Sequence, residues 1–242
     1  MFPDHVPEQG RSTLKQSEKV ESRKNGKLPS GRHGLSRDTV VKSQRERMVD
    51  AMIAVVSDKG YAETTVADII STAGVSRATF YEQFADKEDC FLAAYGSVMD
   101  EMLAHVAEGF GSNPADDWVE QTRGAIGSLL VYLSRNPIAA RVGIVEGFGA
   151  GPRARTRYQE AVSAFFPFLD AARNHLEEPD RVPAQAARVI VGGVSALMFA
   201  EASSGNARHL PELLPEMMYL AVVPYFGHEA AMAAMRDTEP AT

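Results

Sequence analysis

The chain has 242 residues, 45% of them hydrophobic, enough for one or two compact domains at roughly 100–200 residues each. Its single cysteine, Cys90, excludes an internal disulfide framework and any multi-cysteine zinc or iron–sulfur site. The net charge of −7 is uneven: residues 1–47 hold 11 Lys/Arg against 6 Asp/Glu, residues 48–110 hold 3 against 11, and residues 111–242 hold 11 against 15. A basic arm therefore precedes an acidic body, a pattern that suits either a nucleic-acid reader or a solvated tail. Residues 1–30 contain no apolar core of a secretory signal. The uncharged run Val189–Ala200 is shorter than the ~20 residues a bilayer span needs. A soluble, cytoplasmic protein is expected.

Residues 1–35 are rich in Pro, Gly, Ser, Lys and Arg without periodicity and read as a disordered basic arm. From about Ser36 a helical pattern begins. Val49, Met52, Ile53 and Val56 follow the i, i+3, i+4, i+7 spacing of one helix face, and Gly60 stands where a C-cap glycine belongs. This helix is expected to end near Lys59. Thr65 with Asp68 is a short version of a capping box. It opens a second helix whose buried face is Val66, Ala67, Ile69 and Ile70. Gly74 can supply the positive φ of a tight turn, and Ser76 is a second N-cap before Arg77, Ala78, Thr79, Phe80 and Tyr81. Helix, glycine turn and short helix form the outline of a helix-turn-helix, whose second helix enters the major groove.

Asp86 caps a fourth helix, with Glu88 and Asp89 in its first turn and an end near Gly109. Beyond it, helices are expected near 115–135, 137–147, 153–177, 182–204 and 212–226, with a last turn at 228–236. Asn136-Pro137 and Glu178-Pro179 mark boundaries, because the residue before proline is pushed out of the α region. No segment shows strand alternation, so the fold class is all-α. The expected division is an arm at 1–35, a three-helix helix-turn-helix domain at 36–90 and a larger helical domain at 91–242.

Residues 45–95 closely resemble the DNA-binding region of TetR-family transcriptional repressors. The resemblance is carried by Gly60, Thr65, the Val66–Ile69 segment, Ala73-Gly74-Val75-Ser76, Thr79-Phe80-Tyr81, Phe84 and Lys87-Glu88. One departure is Gln83, where the family often has His; Gln can still donate to a phosphate. The resemblance implies that Tyr81 and Lys87 contact phosphate and that Arg77, Ala78 and Thr79 open the recognition helix. Arg can pair bidentately with guanine, while Ala and the Thr methyl can pack on thymine, each bidentate pair discriminating by about 1–3 kcal/mol. Thr65 and Ser76 sit at helix N-termini that suit phosphate oxygens, and are equally plain N-caps. Tyr81 has a packing alternative and Lys87 a solvated one. Arg32 in the arm, and Arg45 just beyond it, are candidates for phosphate or minor-groove contact.

The resemblance also implies a homodimer on a palindromic operator, with recognition helices about 34–36 Å apart. The last two long helices are the expected interface, through Ile190, Gly193, Leu197, Leu213, Met217 and Leu220, although an intramolecular core explains any one of them as well. A ligand pocket is expected in helices 115–177, lined by Trp118, Tyr132, Arg141, Phe148, Tyr158, Phe165 and His175; aromatics at helical spacing are also ordinary core. No two histidines have i, i+4 metal spacing, no nucleophile–base motif appears, and Gly147-Phe148-Gly149-Ala150-Gly151 lacks dinucleotide-loop spacing. No metal, cofactor or enzymatic activity is expected. The reading is a repressor released from DNA by a small apolar effector; the alternative is a DNA-binding regulator or architectural protein without an effector.

Overall fold

Helix α1 (Arg37–Glu63) is interrupted at Gly60, whose φ of 83° and ψ of 160° leave the helical region. The interruption falls where the sequence expects a helix end, and residues 61–63 add one further turn. The computed structural model describes residues 37–112 and 117–237. Contacts divide the chain at Arg47/Met48 into two units. The described residues contain helices and turns and no strand.

After α1 come α2 (Val66–Ala73), α3 (Arg77–Gln83), α4 (Lys87–Gly111) and α5 (Trp118–Arg135). The short α6 (Pro137–Ala140) passes directly into a π-turn at Arg141–Val145 and a 3-10 turn at Glu146–Phe148. Then follow α7 (Pro152–Ser163), α8 (Phe166–Asp170) with a 3-10 extension Ala171–His175, α9 (Ala186–Ser203), a 3-10 segment Ala207–Leu213 and α10 (Leu214–Arg236).

Proline explains most departures from expectation. The helix expected over 153–177 breaks after Ser163, because Pro167 has no N–H to return to the carbonyl four residues back. The helix expected from 182 begins only at Ala186, after Pro183. Helix α10 carries Pro215 in its first turn, where proline is tolerated, and breaks at Gly227 (φ 82°), after which helix resumes to Arg236.

One core cluster joins the short helices to the body. Met48, Met52, Ile69, Phe80 and Phe91 are fully buried, with Phe84 and Tyr95 nearly so. Burying each such side chain stabilises by about 1.5–3 kcal/mol. The rings pair in two groups, with centroids 5.6 Å apart for Phe80–Phe84, and 4.7 Å for Tyr61–Phe91 and 6.0 Å for Phe91–Tyr95. The same cluster runs along α4 to Leu130, Leu133, Leu210 and Met217. A second cluster centres on Trp118, Leu169, Val222 and Tyr225. Helix α9 is long and apolar enough, by length and composition alone, to cross a membrane; here Ile190, Val191 and Met198 on its inner face are buried in these clusters.

Candidate functional site

Helix α2 is closed at both ends by side-chain and backbone geometry. Asp68 N–H donates to Thr65 Oγ1 at 3.3 Å, and Thr65 N–H donates to Asp68 Oδ2 at 2.8 Å, so both halves of the capping box form. The Thr65 hydroxyl also donates to Asp68 Oδ2, and Lys59 Nζ lies 2.6 Å from the same oxygen. These donors, Lys59 first, hold the Asp68 carboxyl well below the usual carboxylate range. Gly74 takes the left-handed conformation (φ 64°, ψ 42°), and the N–H groups of Gly74 and Val75 both return to Ile70 O. That tight turn delivers Ser76, whose Oγ accepts Thr79 N–H at 3.1 Å as the N-cap of α3.

Helix α3 has two unlike faces. Phe80 and the C-capping Phe84 are anchored in the core, whereas Arg77, Ala78 and Tyr81 are exposed and Thr79 is half-buried. The Arg77 guanidinium sits 5.8 Å from the Tyr81 ring centroid, and Tyr81 meets Phe80 edge-on at 5.3 Å. Tyr81 is 48% exposed, so packing does not consume its hydroxyl end. The structure thus gathers three of the sequence's base- and phosphate-contact candidates on one exposed face. Arg45 is exposed on α1, in the other unit, and Arg32 lies outside the described residues.

Lys87 is placed differently from a solvated lysine. Its Nζ donates to Tyr61 O at 3.0 Å and Thr64 O at 2.9 Å, and lies 4.2 Å from the Tyr61 ring centroid. It therefore ties the end of α1 to the start of α4. Two body contacts absent from the sequence reading reach the same region. Glu146 Oε2 accepts Tyr61 N–H at 2.9 Å, while its Oε1 lies 3.4 Å from Arg141 Nε. Arg153 faces the acidic first turn of α4, within 3.3–3.5 Å of Asp86, Glu88 and Asp89. Part of the signal for Arg153 was available: the basic run Arg153, Arg155 and Arg157 can match the three carboxylates at 86–89. Glu146 carried none, since its partner is 85 residues away.

In the body, α4, α5, the π-turn, α7, α9 and α10 enclose an apolar cavity of about 100 Å³. Of the expected lining, Tyr158 and Phe165 are there. Trp118 is not: it is buried in the second cluster, donating Nε1–H to Phe168 O at 2.9 Å and lying 5.4 Å from Tyr225. Tyr132 turns the other way, donating to Glu101 at 2.6 Å and stacking on His105. Arg141 is held by Glu146, and His175 is exposed at the end of a 3-10 turn. The Phe148 side chain lies outside the described residues. Residues missed include Thr122, Met99, Met102 and Met198.

Two expected interface residues also belong to this cavity. Ile190 and Met217 line it, 4% and 0% exposed, and so cannot form an outer surface. Gly193, Leu197, Leu213 and Leu220 are half-buried. The outward face of α9 instead presents Val189, Gly192, Ala196 and Phe199, with Val189 71% and Phe199 43% exposed.

Residues 49–94 match the family model described as bacterial regulatory proteins, tetR family. The chain is 28% identical over 171 residues to the HTH-type transcriptional regulator EthR of Mycolicibacterium smegmatis, covering 65% of this chain and 73% of that protein. It is 30% identical over 102 residues to the HTH-type regulator YxbF of Bacillus subtilis, covering 42% of this chain but spanning only about a quarter (26%) of that relative's length. Among solved structures, the regulator FadR of Bacillus subtilis in complex with stearoyl-CoA superposes with a TM-score of 0.61 at 18% identity, covering 75% of this chain and 98% of that one. The helix-turn-helix segment 49–94 thus matches the tetR family of bacterial regulatory proteins, and the described chain shares the fold of the solved regulator FadR.

Proposed function

We propose that the protein is a cytoplasmic transcriptional repressor that binds a palindromic operator as a homodimer and leaves it when a small apolar effector occupies the body cavity. The observation that carries this reading is the two-faced α3, with Phe80 and Phe84 anchored while Arg77, Ala78 and Tyr81 stay exposed. In this proposal 36–90 is the DNA-binding domain and 91–242 the effector-binding and dimerisation domain. Arg77, Ala78 and Thr79 read base edges. Tyr81, Lys87, Arg45 and the N-termini at Thr65 and Ser76 meet phosphates, and Arg32 adds counter-charge from the arm.

The dimer forms through α9 and α10. The outward α9 residues Val189, Gly192, Ala196 and Phe199 make an apolar surface interrupted by a glycine, which lets another helix approach closely. Coupling runs through the π-turn, because Gly143 and Ile144 line the cavity while Glu146, two residues on, holds Tyr61 N–H. An effector that prefers a shifted π-turn disturbs this tether and changes the separation of the two recognition helices; such coupling is typically 1–3 kcal/mol. FadR, solved with stearoyl-CoA, shares the fold and supports a ligand-responsive body.

Selection of DNA sequences bound by the full chain, followed by electrophoretic shift on the enriched sequence and on random DNA, tests the reading. Enrichment of an inverted repeat is expected. Equal affinity for random DNA would indicate an architectural protein instead.

A further inference from the structure

Helix α5 buries Ala125, Leu129, Leu130 and Leu133 together with two polar residues, Gln121 and Thr122, of which Thr122 lines the cavity. Thr122 is 2% exposed, and its Oγ1 has no hydrogen-bond partner among the described residues. A threonine inside a helix can return its hydroxyl to the carbonyl four residues back, which would relieve the penalty; this one does not. An unsatisfied buried hydroxyl is destabilising, and valine would fill the same space without that penalty.

The rest of the lining narrows what could satisfy it. Tyr158 and Ser195 are only half-buried and also border an open groove beside α9, so their polar ends have another outlet. No charged side chain is among the described residues lining the cavity. An ionised ligand group placed there would lose its hydration with no counter-charge to replace it. Four methionines, Met99, Met102, Met198 and Met217, form much of the wall and can re-pack to admit more than the resting volume.

We infer that the cavity takes an uncharged, apolar ligand bearing one hydrogen-bonding oxygen, and that Thr122 Oγ1 is the group that selects it. The inference rests on the cavity being the effector site. The hydroxyl donates to a carbonyl or ether oxygen, or accepts from an alcohol. It discriminates because a ligand without such an oxygen leaves the Thr122 hydroxyl unpaired.

Three shape-matched probes test this on the full chain: acetophenone, isopropylbenzene and benzoate, titrated calorimetrically into wild type and Thr122→Val. In wild type, acetophenone is expected to bind roughly 2- to 12-fold more tightly than isopropylbenzene, the worth of one neutral hydrogen bond, with benzoate weakest. In Thr122→Val that preference disappears, and the ligand-free variant melts at a higher temperature than wild type. A preference that survives in Thr122→Val, a lower melting temperature of the ligand-free variant, or benzoate binding as tightly as acetophenone overturns the inference. Equal binding of the two neutral probes to wild type overturns the role of Thr122 and leaves the effector site standing. Failure of both neutral probes to bind either protein overturns the effector site and the inference together.

Discussion

Replacing Glu146 with alanine removes the tether between the cavity wall and the end of α1. Its Oε2 accepts Tyr61 N–H at 2.9 Å immediately after the break at Gly60, where the chain has left helical geometry. The Glu146 side chain is 15% exposed, so this hydrogen bond to a charged acceptor belongs to the class worth about 1.5–3 kcal/mol. Its pairing with Arg141 adds little, since Arg141 is 44% exposed and the separation is 3.4 Å; exposed pairs contribute under about 1 kcal/mol. Glu146→Ala should therefore lose about 2 kcal/mol, or roughly 4–8 °C in Tm for a chain of this size. Glu146→Gln keeps the acceptor and should lose less than half of that. Chemical denaturation gives the stability, and amide hydrogen exchange at Tyr61 gives the local effect, with protection falling in Glu146→Ala. Unchanged Tyr61 exchange together with unchanged stability would refute the tether.

Other substitutions test separate parts of the structure. Gly109→Ala places a Cβ 2.2 Å from the Gly124 carbonyl oxygen, a backbone atom that cannot swing aside, so α4 and α5 must separate at a cost of about 1–3 kcal/mol or more, read in a thermal melt. Phe80→Ala should lose about 3–5 kcal/mol by opening a core cavity, whereas Tyr81→Phe, at a half-exposed ring, should leave stability within about 0.5 kcal/mol and weaken DNA binding. The depressed carboxyl of Asp68 contributes stability that is present above its unfolded pKa near ~4 and is lost as pH falls through the lower folded value. Asp68→Asn should accordingly be less acid-sensitive than wild type, and an NMR titration should find the Asp68 carboxylate still ionised at about pH 3.

The parts of the site built by local chemistry were readable from residue order. Thr65 with Asp68, Gly74 and Ser76 act within three or four residues of themselves, and all three form as capping rules require. Gly60 likewise marks the break in α1. The cavity was less legible, because periodicity shows that a helix has an apolar face but not which neighbour that face meets. Trp118 and Tyr158 look alike on a helical wheel, yet one packs at a tilt against Tyr225 and the other lines the cavity. Helix α9 is apolar nearly all round, so the sequence could not separate inward Ile190 from outward Val189. Thr122 and its neighbour Gln121 are the two polar residues on the buried stripe of α5, and periodicity does not tell which of them meets the cavity. Lys87 and Glu146 bond partners 23 or more residues distant, which only the folded chain brings near.

The proposed function requires α3 to present Arg77 and Tyr81 to DNA. The most direct measurement is the affinity of wild type, Arg77→Ala and Tyr81→Phe for the selected operator and for random duplex at one fixed salt concentration. Arg77→Ala should lose about 1–3 kcal/mol, roughly 5- to 150-fold, on the operator and much less on random DNA, while Tyr81→Phe weakens both. If both variants bind the operator as tightly as wild type, DNA is not read by this face of α3.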